Sequence, residues 1–197
     1  MNTGGRRGPP MVNLPPATKA VAAAMVLAYA AMYVPGLAPF LGLLVFDPLA
    51  PMPFWLIGAL GYGLLHGSLM HLAGNMLGVV ILGPLIERRR GAGPLLILLV
   101  LGGLAGALAH SLAQMLTGQW SALIGASASA AALIGWSLRQ IRDGRGFSHL
   151  DQAVTLYGLF FIGFNLLGVV AFNDSPVAYS AHAGGFVAGW LYGGRGR

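Results

Sequence analysis

Six runs of this 197-residue chain, near positions 18–34, 62–86, 93–116, 121–138, 150–171 and 177–194, are dominated by apolar side chains. As helices, about 20 residues at 1.5 Å rise cross roughly 30 Å of hydrocarbon. The first run is short, and all six are near that length. They rule out a water-soluble globule, because 56% hydrophobic and 8% charged residues leave too few polar groups to cover a surface. The chain reads as an all-α polytopic membrane protein, a bundle of six transmembrane helices.

The charges give an independent check. The basic residues are Arg6, Arg7, Lys19, Arg88, Arg89, Arg90, Arg139, Arg142, Arg145, Arg195 and Arg197. Six spans put all of them on one side. The positive-inside rule makes that side the cytoplasm and places both termini there. The net charge of +6 is then an orientation signal. A nucleic-acid partner is disfavoured, since no folded polar face clusters basic and aromatic residues. Residues 1–17, MNTGGRRGPPMVNLPPA, read as a flexible cytoplasmic tail, and 18–197 as one membrane domain. A cleaved signal peptide is the rival reading of the first run, but removing that span would throw the charge blocks out of phase. Cysteine is absent, so no disulfide framework or thiolate chemistry is available. The predominance of Arg over Lys, with abundant Ala and Gly, is associated with GC-rich bacterial genomes and suggests a bacterial plasma membrane.

Between the first two runs lies a segment with Pro35, Pro39, Pro48, Pro51 and Pro53, interleaved with Phe40, Leu41, Leu43, Leu44, Phe46 and Trp55. It is too broken to span and too apolar to float free, so an interfacial or re-entrant structure is expected. The last two runs are joined by AFNDSPV, a compact outer turn around Asn173, Asp174 and Pro176.

Polar groups inside such runs are expensive and point to function. Ser127 lies seven residues beyond Trp120, an interfacial marker, and His182 six beyond Pro176. On a helical ruler both sit roughly 10 Å below the outer surface. His71 falls in the first turns of the second span. The three converge on one depth from the external side.

The helix faces agree. Gly185 and Gly189 share the face of His182 and leave room for a neighbouring helix. Gly125, Ala128, Ala131, Ala132 and Gly135 form a matching strip around Ser127. Packed together, the strips bring Ser127 and His182 within about 3 Å, as a nucleophile and its base require. Ser127 is early in its helix, where free N–H groups favour an oxyanion. His71 and Asn75 are four apart on one face and both carry donors. Together these supply the parts of acyl transfer. Ser129, about 200° round the helix from Ser127, is a packing residue in this reading. His110 and His149 read as ordinary residues.

HGSLMHLAGNM, GAS at a helix start and AHAGGFVAG on the last helix together resemble the rhomboid intramembrane serine proteases. The similarity covers nearly the whole chain after the tail, including LIERRRG. It implies a six-helix core with a Ser-His dyad: Ser127 as nucleophile and His182 as general base. It also implies an oxyanion hole of His71, Asn75 and the Ser127 backbone. His66 would support the top of the second helix, the first loop would lie partly in the bilayer, and AFNDSPV would cap the site. Substrates would be transmembrane proteins, cut near the outer face of the bilayer where their helices unwind, and no cofactor or metal is implied.

Two features depart from the family pattern. Ala128 replaces the Gly that usually follows the serine, and its methyl could narrow the approach to the site. The Trp-Arg pair of the first loop is absent, since Leu56 follows Trp55. None of the acidic residues Asp47, Glu87, Asp143, Asp151 and Asp174 lies in a span beside His182, which leaves a chymotrypsin-like triad or an aspartyl dyad without members. Two other classes compete: an inactive relative that binds transmembrane clients, and a proton or metal transporter using His66, His71 and His182.

Overall fold

The computed structural model describes residues 13–171 and 179–194, and the side chains of all of these except 168–171. Residues 1–12, most of the expected tail, and 172–178, most of the AFNDSPV turn, lie outside the described residues. Among the described residues eight α-helices follow one another: α1 Pro16–Ala31, α2 Ala38–Gly42, α3 Phe54–Gly61, α4 Leu69–Arg90, α5 Ala92–Thr117, α6 Ser127–Arg142, α7 Asp151–Ala171 and α8 Tyr179–Gly193. Short 3-10 turns at Tyr62–Leu64 and Ser148–Leu150 precede α4 and α7.

The six longer helices follow the six apolar runs in order. Among the described residues, three segments are both long and apolar enough to cross a membrane: Leu69–Arg90, Ala92–Thr117 and Ser148–Leu167. The bundle is turned outside-in relative to a soluble protein. Leu27, Leu77, Leu108, Phe160, Leu167 and Leu191 are all more than half exposed, so the surface is the apolar phase. This is an integral membrane fold.

α6 is the centre. Ten of its sixteen residues are buried, and it runs only about 24 Å, since a helix walled in by protein need not match the bilayer. α5 and α8 close on it through missing side chains. A Cβ added at Gly185 would overlap the backbone of Ala128, and one at Gly189 would lie 2.6 Å from the Ala132 carbonyl carbon. Gly135 in turn receives the Phe186 carbonyl, and Gly102 and Gly106 on α5 receive the methyl groups of Ala132 and Ala128. With lipid as apolar as Leu, such close contact is what holds helices together.

Two boundaries differ from expectation. The second span was expected from 62, but α4 starts at Leu69 because Ser68 caps it, its Oγ accepting from the His71 N–H at 3.1 Å. The fourth was expected from 121, but α6 starts at Ser127. Residues 121–126 instead run as non-helical chain whose backbone is satisfied elsewhere. Phe46 and Leu123 exchange both N–H···O bonds, at 3.1 and 2.8 Å, and the Gly125 N–H donates to the Tyr62 carbonyl at 2.9 Å. The helical depth ruler for Ser127 therefore does not hold, and Gly125 belongs to this turn rather than to the α6 strip.

Charge collects at one end. Arg88, Arg89 and Arg90 close α4, and Arg139 and Arg142 close α6, where cations suit the helix dipole. Arg89 donates to the carbonyls of Arg145 and Gly146 and lies over the Phe147 ring. Hydrogen bonds from Arg139 and then Arg145 hold the Asp143 carboxyl below its usual range. Glu87 ties this end to α1, accepting from the Ala17 and Thr18 N–H groups at 2.8 and 2.7 Å and from the Thr18 hydroxyl at 2.7 Å. These are donors that the start of α1 would otherwise leave free.

Candidate active site

At the opposite end of the bundle Ser127 is the first residue of α6, and His182 lies one turn into α8. The Ser127 Oγ and His182 Nε2 are 2.8 Å apart. The glycine contacts create this distance. With Gly185 over Ala128 and Gly189 over Ala132, the two helices lie side by side in register, so His182, three residues before Gly185, arrives beside Ser127. A hydroxyl donating to an imidazole at this length can pass its proton as it attacks a carbonyl.

Gly125 is the hinge of the turn before the serine. Its φ of +109° is one that side chains rarely adopt, and an added Cβ would come within 2.5 Å of His71 Nε2 and 3.4 Å of Asn75 Nδ2. Both donors of α4 thus face the turn that delivers Ser127. Asn75 is buried, and its Nδ2 donates to the His71 carbonyl at 2.9 Å, which fixes its amide. Backbone N–H groups of the first α6 turn, His71 and Asn75 therefore surround one small region.

His66 is fully buried, but it precedes α4 rather than crowning it. Its Nε2 accepts from the Ala126 N–H at 3.5 Å and its Nδ1 meets the Leu64 carbonyl at 3.3 Å, so it braces the residue just before Ser127. Its ring also packs edge-on against His71, with centroids 5.2 Å apart. The first loop adds the Phe46–Leu123 bridge and the Tyr62 hydroxyl, which donates to the Gly103 carbonyl at 2.9 Å. Trp55 packs edge-on against Phe46 at 5.2 Å, so this loop is anchored without the missing Trp-Arg pair.

The departure at position 128 has a structural answer. The Ala128 side chain is 1% exposed, and its methyl fills the space that a side chain at Gly106 would need. It points at Gly106 of α5 and packs in one buried apolar cluster with Tyr62, Ala107, Leu123 and Ala181. One step round a helix is 100°, and Gly106 on α5 is what makes room. Ser129 likewise faces α5, donating to the Leu99 carbonyl at 2.8 Å.

Two polar groups were missed or passed over in the sequence. Asn165 on α7 places its Oδ1 2.5 Å from His182 Nδ1. An amide in an otherwise apolar run was the signal, but its distance of 17 residues from His182 carries no periodicity. His110, read as ordinary, is buried in a network: its Nε2 meets the Ser121 carbonyl at 3.0 Å and Gln114 Nε2, and its Nδ1 lies 3.4 Å from the Ser180 hydroxyl. The network pins α8 and the segment before α6 to α5. Among the described residues no three His, Cys, Asp or Glu side chains lie together as a metal site needs.

A family model described as Rhomboid domain matches residues 53–196, from the end of the first loop through α8. The match takes in every residue of this site except Phe46 and covers well over half of the chain. Members of this family are in general serine proteases that act on transmembrane proteins within the bilayer. With an all-helical apolar bundle and that match together, the chain belongs to the rhomboid family.

Proposed function

We propose that this protein is an intramembrane serine endopeptidase in which Ser127 is the nucleophile and His182 the general base. The observation that carries the reading is the 2.8 Å contact between Ser127 Oγ and His182 Nε2 at the start of a buried helix. Ser127 Oγ attacks the scissile carbonyl while its proton passes to His182 Nε2. The oxyanion is held by the Ser127 N–H, the Asn75 amide and the His71 ring. His182 returns the proton to the leaving amine as the C–N bond breaks. A water, deprotonated by His182, then cleaves the acyl ester and restores the serine. Gly125, Gly185, Gly189 and His66 support this geometry, and the scheme uses no cofactor.

The same reading makes residues 18–197 one domain of six spans, with α6 crossing inside the shelter of the other helices. The basic end faces the cytoplasm and the site opens outward, in a bacterial plasma membrane, with transmembrane proteins as substrates. The second reading is a rhomboid relative that binds transmembrane clients without cutting them, and the contact between Ser127 and His182 favours the protease over it.

The test is cleavage of a transmembrane reporter in proteoliposomes by the protein and by Ser127→Ala and His182→Ala, with folding followed by circular dichroism. Cutting by the parent alone is expected, along with fluorophosphonate labelling that is lost in Ser127→Ala. Cutting by folded Ser127→Ala at the parent rate would remove Ser127 from the mechanism.

A further inference from the structure

The hydrogen bonds around His182 continue beyond Ser127. Asn165 Nδ2 donates to the Phe161 carbonyl, one turn earlier on α7, at 2.7 Å. A carbonyl oxygen can only accept, so the amide is oriented by its own helix with the NH2 toward Phe161. The atom that faces His182 Nδ1 at 2.5 Å is then Oδ1, which also can only accept. His182 Nδ1 must therefore carry hydrogen. A neutral imidazole has one ring hydrogen, so Nε2 is bare and faces the Ser127 hydroxyl as an acceptor. The chain of partners, from the Phe161 carbonyl through Asn165 and His182 to Ser127, has one consistent set of donors.

We propose that Asn165 is a positioning residue for the reaction, holding His182 in the tautomer and ring orientation that can take the Ser127 proton. The inference rests on the reading of Ser127 and His182 given above and adds a third member to it. When Oγ–H passes to Nε2 the ring becomes an imidazolium, and Nδ1–H keeps donating to Oδ1 throughout. Asn165 itself gains and loses no proton. Its neighbour on the same face, Phe161, lies against the His182 ring with centroids 5.5 Å apart, and Tyr179 meets it edge-on at 6.3 Å. The ring is confined by these aromatics, but they cannot choose between its two tautomers. Only a group with a fixed acceptor can, and Asn165 supplies it. In serine proteases a buried Asp does this work, and Cys-His enzymes on other folds use an amide.

The experiment compares Asn165→Leu, which keeps the size and removes the acceptor, with Asn165→Asp, which keeps the acceptor oxygen. Each is measured on the transmembrane reporter for kcat and KM and with a fluorophosphonate for the labelling rate of Ser127. Asn165→Leu should lose about ten- to hundredfold in kcat and in labelling rate, with KM within about twofold of the parent. Asn165→Asp should recover most of the loss. A folded Asn165→Leu at parental kcat overturns the proposal, as does an equal loss in folded Leu and Asp variants, which would mark a packing role. If the Leu variant does not fold, the Asp variant decides: activity near the parent supports the acceptor role, and a folded but inactive protein overturns it. Ser127→Ala, run beside them, separates the two levels. Cleavage persisting there sinks the serine reading itself, whereas its loss together with full activity in Asn165→Leu sinks only the role of Asn165.

Discussion

The α5–α6–α8 core and α7 meet at His182 but are built in opposite ways. In the core, helices touch backbone to backbone at Gly135, Gly185 and Gly189, and Gly102 and Gly106 receive the methyl groups of Ala132 and Ala128. On α7 only 11% of the apolar span is buried, against 39% for α4 and α5, and Gly163 faces open space. The core fixes where Ser127 and His182 lie, and α7 contributes the amide that sets how the imidazole is turned. Position needs rigid packing. Orientation needs one well-aimed polar atom, which a lightly packed helix can supply.

The harshest way to break this comparison is to put a side chain where the core has none. Gly189→Val would drive a branched side chain into the Ala132 backbone, which cannot yield as a flexible side chain could. The expected cost is about 3 kcal/mol or more, the upper range for overpacking, and with it most folded protein. Size-exclusion profile and thermal unfolding in detergent read it. A variant as stable as the parent would mean that α6 and α8 can separate freely.

Gly125→Ala tests the edge of the core. The residue would have to adopt a φ of +109° and share space with the His71 ring, a strain of about 1–3 kcal/mol. The larger effect is on turnover. Shifting the turn by an ångström is expected to lower kcat by about a hundredfold while the helices still assemble. Parental kcat in this variant would separate the turn from the site.

How much of this was legible in the chain follows the same divide. The strips that pack α6 on α8 came from spacing, because Ala128 with Ala132 and Gly185 with Gly189 recur at a helical period that packing must respect, and the candidates Ser127 and His182 lie beside them. The turn before Ser127 did not. Residues 121–126 are as apolar as a helix and read as one, and the partners that hold them out of it, Phe46, Tyr62 and His66, are 60 or more residues away in sequence. Ser68 was a readable cap, yet it fell inside an apolar run and was read through. Asn165 carried a polar signal without a geometric one, since nothing in a single sequence says which face of α7 meets α8.

Ala128→Gly separates packing from chemistry within the core. Removing the methyl leaves a gap opposite Gly106 and costs helix propensity, together about 1–2 kcal/mol. Because the methyl points into α5, kcat on a transmembrane reporter should stay within about twofold of the parent, whereas a methyl obstructing the site would yield a clear gain in turnover on its removal.

The mildest change belongs to α7. Gly163 is exposed, with nothing within 4 Å of an added Cβ, so Gly163→Ala meets no clash and gains helix propensity of at most about 1 kcal/mol. It lies two residues before Asn165 and on another side of the helix, so a methyl there reaches neither His182 nor Phe161. Thermal unfolding should be unchanged or slightly raised and cleavage unaltered. The same single methyl that the core cannot accept at Gly189 should pass unnoticed here. A loss of stability comparable to that of Gly189→Val would show that α7 has a packed neighbour on its exposed side, and the contrast between a rigid core and a lightly held positioning helix would have to be abandoned.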